Sequence, residues 1–591
     1  MGFSAVFGFF CVCAFPFLLH TGGNGLGYTN SIFSFLLWLA LLWFFNGILK
    51  RGFTGKWSKW LIPFVFSLFF VLALVFGAQL DSRGSVPFTE ISMWLSVFVL
   101  TAAFSLSVRY GWDRLAGLSS VRRGKEADKK EKKDTGGREF FLTAGFIFLC
   151  YLPVFLAVYP GFFVYDAQDE LMQVITRSFS THHPLLHVLL TGGIIQLVYK
   201  LSGSYNLGIA CYTLFQMLVL SGIFSFAIGT MKKKGVSLTG RILTAAYFGL
   251  FPVVVMFSLC SAKDGLFTGM LLLMFLLLQE LCRTPEEFFE KKGKLFLLWA
   301  ASVGMMMLRH NGFYAFGVFA VLLLVILRKY FKKLVLLLGG IFVCYFAASG
   351  ILTAAFHADA SENQELLTVP IQQLARVYQR EGDRLPEEDK ALLYEILPEK
   401  ALTHYTPKVS DSVKQHFNNA AYEKDKGKYL GLWLKWGVRH PFTYLNAWFM
   451  TSYGFWYPDT VIDVYRGNSV FTFTYEDSSY FGFEVEEPGV RESKLPWLME
   501  AYRRMSLEIT QQKLPVVSML FSPGFLFWAT AFVLCFFWYV NEKKRLTPYL
   551  LLFLVWLTVL LGPTYLVRYV VFLWFVLPFT AAELWDYRRS R

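Results

Sequence analysis

Apolar runs of about 17 to 25 residues, each closed by a short charged stretch, recur along most of this chain, which is the spacing that a bilayer core of about 30 Å asks of a helix. About fourteen can be counted, at residues 3–19, 31–49, 61–80, 91–108, 140–158, 207–228, 242–260, 265–281, 295–308, 313–326, 334–352, 524–540, 549–561 and 569–584. The pattern predicts an all-α polytopic membrane protein. Two interruptions divide it. Residues 109–139 are polar and basic, carry Lys129, Lys130, Lys132 and Lys133, and read as a flexible cytoplasmic linker without a core of its own. Residues 353–514 are too many for a connection and enough for a small, mainly α-helical external domain; Ser361 to Gln364 fits a capping box there, and residues 386–397 read as a helix. Five parts follow: four N-terminal helices (1–108), the linker (109–139), a helical core with its first external loop at 159–206 (140–352), the external domain (353–514), and three C-terminal helices with a basic tail (515–591).

Composition agrees with lipid as the solvent: 55% of residues are hydrophobic, 18% aromatic and only 17% charged. The formal charge of +14 raises the question of nucleic acid, but the cations sit in short clusters at helix ends with no basic face or recognition motif, so no nucleic-acid partner is expected. Those clusters orient the helices instead. Lys50, Arg51, Lys56 and Lys59 place the second connection in the cytoplasm, and the linker joins them by the positive-inside rule. The first run lacks a basic start and a small-residue cleavage site, so it reads as a retained helix with a cytoplasmic N-terminus.

An odd number of crossings must connect the loop after residue 158 to Lys232, Lys233 and Lys234. Residues 184–200 are short and comparatively polar, with His187, Gly192, Gly193 and Gln196, whereas 207–228 are longer and cleaner. If only the second stretch crosses, the clusters at Arg283, Lys291 and Lys292, at 328–333, at 543–545 and at 588–591 all fall inside, so both termini are cytoplasmic. Residues 184–200 then lie along the outer surface as an interfacial helix.

The polar residues worth notice gather on the extracytoplasmic side. The first loop reads Tyr159-Pro160-Gly161 through Tyr165-Asp166-Ala167-Gln168-Asp169-Glu170, then Thr181-His182-His183-Pro184, with His187 following. A carboxylate at such a boundary is partly desolvated, which suits a general base taking a proton from a hydroxyl; Asp166 as a helix cap, with Asp169 in the first turn and Pro184 opening the next helix, explains the same letters equally well. Lys263, Arg309 and Arg568 are cations on the wrong side for the positive-inside bias. Each could instead snorkel to the interface, Lys263 could pair with Asp264, and Asp264 could cap the helix from Gly265. Arg309-His310-Asn311 puts three polar side chains in one turn.

The order of these motifs, an Asp loop after one helix, a His-Pro-Leu opening onto a juxtamembrane helix and a later Ser-Ala-Lys-Asp, resembles the GT-C superfamily of polyprenyl-phosphate-sugar glycosyltransferases, which includes protein O-mannosyltransferases and the lipid A aminoarabinose transferase. In detail it is similar to an uncharacterised bacterial multi-pass branch of that superfamily. The resemblance covers residues 140–584 and leaves out the four N-terminal helices. It departs from the superfamily where an adjacent acidic pair is spread over Asp166 and Asp169, with Glu170 in reserve, and where Leu185 replaces a second proline.

What the resemblance implies is inverting transfer of a sugar from a polyprenyl-phosphate donor, held in the membrane lipid, to the hydroxyl of a glycan, lipid or protein acceptor. Asp166 and Asp169 become the catalytic candidates, Lys263, Arg309 and Arg568 the lipid-phosphate contacts, and His182, His183, His310 and Asn311 substrate contacts. Arg568 with Tyr569 matches an Arg-Tyr at the start of the last helix. A divalent metal ion held by Asp166 and Asp264, with Asp169 beside them, is an open alternative, since the superfamily is divided on this point. Trp456 and Tyr457, with Asp459, end an aromatic stretch that reads as an interfacial belt or as a carbohydrate platform.

The eight cysteines lie in or beside apolar runs, so neither a disulfide framework nor a thiolate metal site is expected. Walker, dinucleotide and HExxH motifs are absent from the sequence. Two further classes stay open: a flippase, transporter or polymerase of lipid-linked glycans, which would favour internal repeats and midplane polar residues, and a non-catalytic assembly protein.

Overall fold

The computed structural model describes residues 1–18, 31–53, 57–117, 136–462 and 485–590 of the 591. In hydrocarbon a segment must satisfy its own backbone groups, and the apolar runs accordingly become helices. The N-terminal part is α1 (Gly2–Ala14), α2 (Ile32–Arg51), α3 (Leu61–Arg83) and α4 (Ile91–Gly117). The core continues with α5 (Gly136–Ala157), α6 (Ala167–Thr176), α7 (Leu185–Ser202), α8 (Tyr205–Lys233), α9 (Leu238–Leu250), α10 (Pro252–Leu259), α11 (Asp264–Arg283), α12 (Pro285–Glu290), α13 (Lys292–Leu308), α14 (His310–Ile326) and α15 (Phe331–Phe356). The long polar segment after α15 holds α16 (Thr368–Glu381), α17 (Glu387–Ile396), α18 (Glu399–Leu402), α19 (Asp411–Lys414), α20 (Asn419–Lys424), α21 (Lys426–Arg439), α22 (Pro441–Ser452), α23 (Pro496–Leu507) and α24 (Thr510–Lys513). The chain ends with α25 (Pro523–Tyr539), α26 (Thr547–Val559) and α27 (Phe572–Ser590). Among the described residues, extended backbone pairs only in isolated bridges.

The all-α polytopic architecture is as expected, but the count of fourteen spans is not. Among the described residues, eight helices are long and apolar enough to cross a membrane (α2, α3, α4, α5, α7, α8, α11 and α15), and α9 with α10 make a ninth that bends by 55° around Phe251, where Pro252 opens the second half. The runs that fall short are α1, α14, α25 and α26, which are shorter apolar helices, α13, which stops at 17 residues, and α27, which carries Glu583, Asp586, Arg588 and Arg589. A 13-residue helix such as α26 reaches about 20 Å, less than the hydrocarbon thickness.

The linker expected at 109–139 is shorter at both ends. α4 continues to Gly117 and α5 begins at Gly136; residues 118–135, with the lysine run, lie outside the described residues. Arg109, taken for the linker's first residue, is 1% exposed, with its guanidinium 4.0 Å from the Trp60 ring. Length and composition admit α7 as a span, against the expectation that it lies on the surface. Its packing is more specific: His187 meets Tyr212, and Ile195 sits where a Cβ on Gly208 would stand, so α7 runs back along the first turns of α8. Residues 213–233 of α8 then continue past α7 for about 30 Å, packed on α5, α9 and α11.

The segment from α16 to α22 has its own core of Leu374, Leu393, Val413, Leu432, Trp436 and Tyr444. It docks through Asn446, whose side chain brackets the backbone of Val86, and through Trp448, which donates to the Leu560 carbonyl. α17 matches its expected bounds to within a residue at each end. The capping box does not form: residues 363–365 make a single 3-10 turn, and the Ser361 N–H donates to Thr181 Oγ1 across the chain.

α11 is buried almost throughout and spans about 30 Å from Asp264 to Arg283. At its Arg283 end, Glu583 and Asp586 of α27 accept from Arg283 (2.6 and 2.8 Å) and Arg545 (2.8 Å each), and Glu583 also accepts from Lys234 at 2.5 Å. The basic clusters that close α8, α11 and α27 and precede α26 therefore share one end of the bundle.

Candidate functional site

At the Asp264 end two short segments run side by side. The Phe162 N–H donates to Leu259, the Ser261 N–H donates to Phe162, and Phe162 and Cys260 form a parallel bridge. Each segment then enters a helix, α6 or α11, so Asp166 and Asp264 emerge at matching places on parallel tracks. Gly161 makes the approach feasible: its φ is +127°, and a Cβ there would lie 2.3 Å from Thr213 Oγ1.

Arg568, from the turn before α27, ties the two tracks together. Its Nη2 and Nη1 donate to Asp166 at 2.7 and 3.3 Å, and its Nε donates to Asp264 Oδ2 at 2.8 Å. Arg309 donates to Asp264 Oδ1 at 2.7 Å and stacks over Tyr569. Lys263 donates to Asp166 Oδ2 at 2.5 Å and to His183 Nδ1 at 3.1 Å, and lies 3.7 Å from Glu170 Oε1. The helix-capping explanation for both aspartates thus fails: neither Asp166 nor Asp264 caps through its side chain, because both carboxylates are given to cations. Interface snorkelling fails too, since Lys263 and Arg568 are buried.

Behind this layer lies a second one that the sequence reading did not assemble. Glu170 Oε2 is 2.5 Å from His187 Nδ1, His187 Nε2 is 2.9 Å from the Tyr212 hydroxyl, Tyr212 donates to Gln216 Oε1, and Gln216 donates to the Cys260 carbonyl at 2.7 Å. The available signal was a polar residue inside an apolar helix (His187) and a polar pair at i,i+4 (Tyr212, Gln216). Tyr165, at φ +62°, lies under the Arg568 guanidinium at 4.4 Å.

The two catalytic candidates have opposite electrostatics. Burial pushes Asp166 up, but Arg568, Lys263 and His183 overcome it and hold the carboxyl well below the usual range. Desolvation and the neighbouring Asp166 charge push Asp169 up, and among the described residues its side chain makes no ion pair or hydrogen bond. Burial and then Lys263 push His183 down to about 4, so it is neutral near pH 7 and can accept from Lys263. Burial raises Glu170, but His187 and Lys263 bring it below its ordinary value.

Two spaces meet at His183. A polar cleft of about 650 Å³ is lined by Asp169, Gln173, His182, His183, Asp359 and Glu365. Its far wall is held by the Thr181 N–H donating to Asp359. A narrow slot of about 60 Å³ with apolar walls, including Leu185, Met306, Met307 and Leu352, runs between α7, α13 and α15. His310 lines the slot and its Nε2 donates to the Thr181 carbonyl at 3.0 Å.

Of the residues picked from sequence, Asp166, Asp169, His182, His183, Lys263, Asp264, Arg309, His310 and Arg568 are therefore brought to one centre. Three are not. Asn311 turns to α26, donating to Thr558 Oγ1. Tyr457 is 1% exposed in the main core, and Trp456 packs on Phe449. Of the expected metal pair Asp166–Asp264, Asp264 gives one oxygen to each of two arginines and is not among the donor atoms that converge. The donor atoms that converge belong to Asp166, Glu170 and His183, within 4.8 Å of one another, and the Lys263 ammonium stands among them. The residues present thus do not fit a divalent ion while Lys263 is in place.

Fold and site together define a helical multi-pass membrane protein with a buried ionic centre at one end of its bundle, opening to a cleft. Residues 173–591 match the Family of unknown function (DUF6020), and the chain belongs to that family. The match begins within α6, after Asp166, Asp169 and Glu170. No curated protein and no solved structure matches the chain.

Proposed function

We propose that this protein is a GT-C-type membrane glycosyltransferase, moving a sugar from a polyprenyl-phosphate donor to an acceptor hydroxyl on the extracytoplasmic face. The observation that carries this reading is the meeting of a polar cleft and an apolar-walled slot at His183, whose Nδ1 accepts from Lys263. A lipid-linked sugar phosphate has the same division into apolar chain, anion and polar head. The orientation is supported by the basic clusters, which gather at the opposite end of α11 and by the positive-inside rule face the cytoplasm.

In the reaction, the bond between the anomeric carbon and the phosphate oxygen breaks while a bond to the acceptor oxygen forms on the opposite face of the sugar. Asp169 takes the acceptor proton: it faces the cleft and holds protons more tightly than an ordinary aspartate, as a base near neutral pH should. Asp166 holds Lys263 and Arg568 in place. As the lipid phosphate departs with the bonding electrons, those two cations shift part of their hydrogen bonding from Asp166 to the developing anion.

The test compares surface glycan or glycolipid from cells making wild type, Asp166→Asn, Asp169→Asn or Arg568→Ala, together with release of polyprenyl phosphate by purified protein. Activity should fall by on the order of 100-fold or more in each variant. Unchanged product in all three, at normal protein levels, removes the enzyme reading.

A further inference from the structure

Asp166, Glu170 and His183 form a carboxylate–carboxylate–imidazole set of the kind that binds divalent transition metals, and their spacing of 4.8 Å or less suits ligands at about 2.0–2.5 Å from a shared ion. Lys263 Nζ lies 2.5 Å from Asp166, 3.1 Å from His183 and 3.7 Å from Glu170. An ammonium has three protons, and three acceptors surround this one.

We propose that Lys263 is the resident cation of a latent divalent-metal pocket, so that the natural centre takes up no metal and removing the lysine turns it into a metal site. Two further observations support this. Glu170 Oε1 is fully buried and makes no hydrogen bond, yet it points at Lys263, while its other oxygen is fixed through His187 and Tyr212 as the outer partners of a metal ligand would be. The charges are also balanced: three cations, Lys263, Arg309 and Arg568, stand against three carboxylates, Asp166, Glu170 and Asp264. A divalent ion added beside the lysine would leave the buried centre doubly positive. A tethered ammonium cannot be lost to chelators, and it can reorient between Asp166 and Glu170 when an anion arrives.

The experiment is titration of full-length protein in detergent with Mn²⁺, read by electron paramagnetic resonance. Wild type should show no stoichiometric site. Lys263→Ala should take up one equivalent, on the order of 100-fold tighter than wild type, and the additional change Glu170→Gln should abolish it. Two results overturn the proposal: one equivalent bound by wild type and lost in Glu170→Gln, or no binding by a Lys263→Ala protein that elutes as a single folded species. Lys263→Ser is carried in parallel in case the alanine variant does not fold, and the wild-type titration needs no variant. Metal uptake is read without any transfer assay, so failure here leaves the glycosyltransferase reading untouched, and failure of that reading leaves this one.

Discussion

α11 joins two charged clusters about 30 Å apart, and they are built on different plans. At the Arg283 end both carboxylates come from one regular helix, α27, and receive cations from three other segments; Glu583, 1% exposed, accepts from all three. At the Asp264 end the charged groups come from turns and helix starts, Tyr165 sits in the left-handed region, Glu170 Oε1 lacks a hydrogen bond, and a cleft opens beside Asp169. A left-handed tyrosine costs about 1–2 kcal/mol, which a stacked guanidinium at 4.4 Å partly offsets. One cluster uses both oxygens of its buried Glu583 and pins the C-terminal helix. The other keeps strain and unmet hydrogen-bonding capacity next to open space, as sites built for a ligand do.

The largest effect that tests this contrast is on stability at the Arg283 end. Glu583→Gln leaves Arg283 and Arg545 on Asp586 and takes from Lys234 its carboxylate partner, leaving it the Gln279 amide oxygen, and breaking such a buried pair costs about 3–5 kcal/mol. The thermal midpoint in detergent should drop sharply, while turnover per folded molecule stays within about twofold, because nothing in that cluster touches the cleft. A Glu583→Gln protein that keeps its midpoint but loses turnover would erase the distinction between lock and site.

A smaller, pH-dependent effect belongs to the site. His183 has a folded pKa of about 4 against an ordinary 6.5, so the unfolded chain binds the extra proton between those values. Its contribution is fully present above pH 6.5 and is lost as pH falls towards 4, at most about 3 kcal/mol in all. Asp166, held low by its cations, adds a loss only below about pH 4, its unfolded value. Midpoints measured from pH 7.5 to 4.5 should therefore fall in wild type and fall less steeply in His183→Asn. Equal slopes in the two proteins would mean that His183 does not sit neutral beside Lys263.

The difference between the clusters also explains what the sequence made legible. Helices and the gathering of Asp166, Lys263 and Arg568 at one end follow from apolar run length and from cations opposing the charge bias, both local features. The diversion of Asp166 and Asp264 from capping to Arg568 was hidden, because it depends on a bridge between Phe162 and Cys260, far apart in sequence. The number of spans was overcounted for a related reason: an apolar run does not reveal where its helix stops, as where a 3-10 turn follows α1 or α26 ends after 13 residues. Glu170 was kept in reserve, and its pairing with His187 appeared only once α6 packed on α7.

The smallest expected effect concerns the aromatic stretch, where an indole in a membrane protein reads equally as a sugar platform or as packing. The Trp456 ring meets Phe449 edge-on at 5.6 Å, its Nε1 donates to Ser452 Oγ at 3.3 Å, and its carbonyl accepts from Trp528. The first two contacts fold the ring back on α22, and the third ties the segment to α25, so all of them are packing. Trp456→Phe keeps the edge-on ring and the carbonyl and removes one weak hydrogen bond, so it should cost about 1 kcal/mol of stability. The acceptor KM should stay within about twofold, since a stacking platform stripped of its indole would lose about tenfold. Titrating acceptor against Trp456→Phe and wild type at matched protein levels separates the two. A tenfold rise in KM without loss of stability would move substrate recognition to this stretch and make the ionic centre at Asp166 only part of the site.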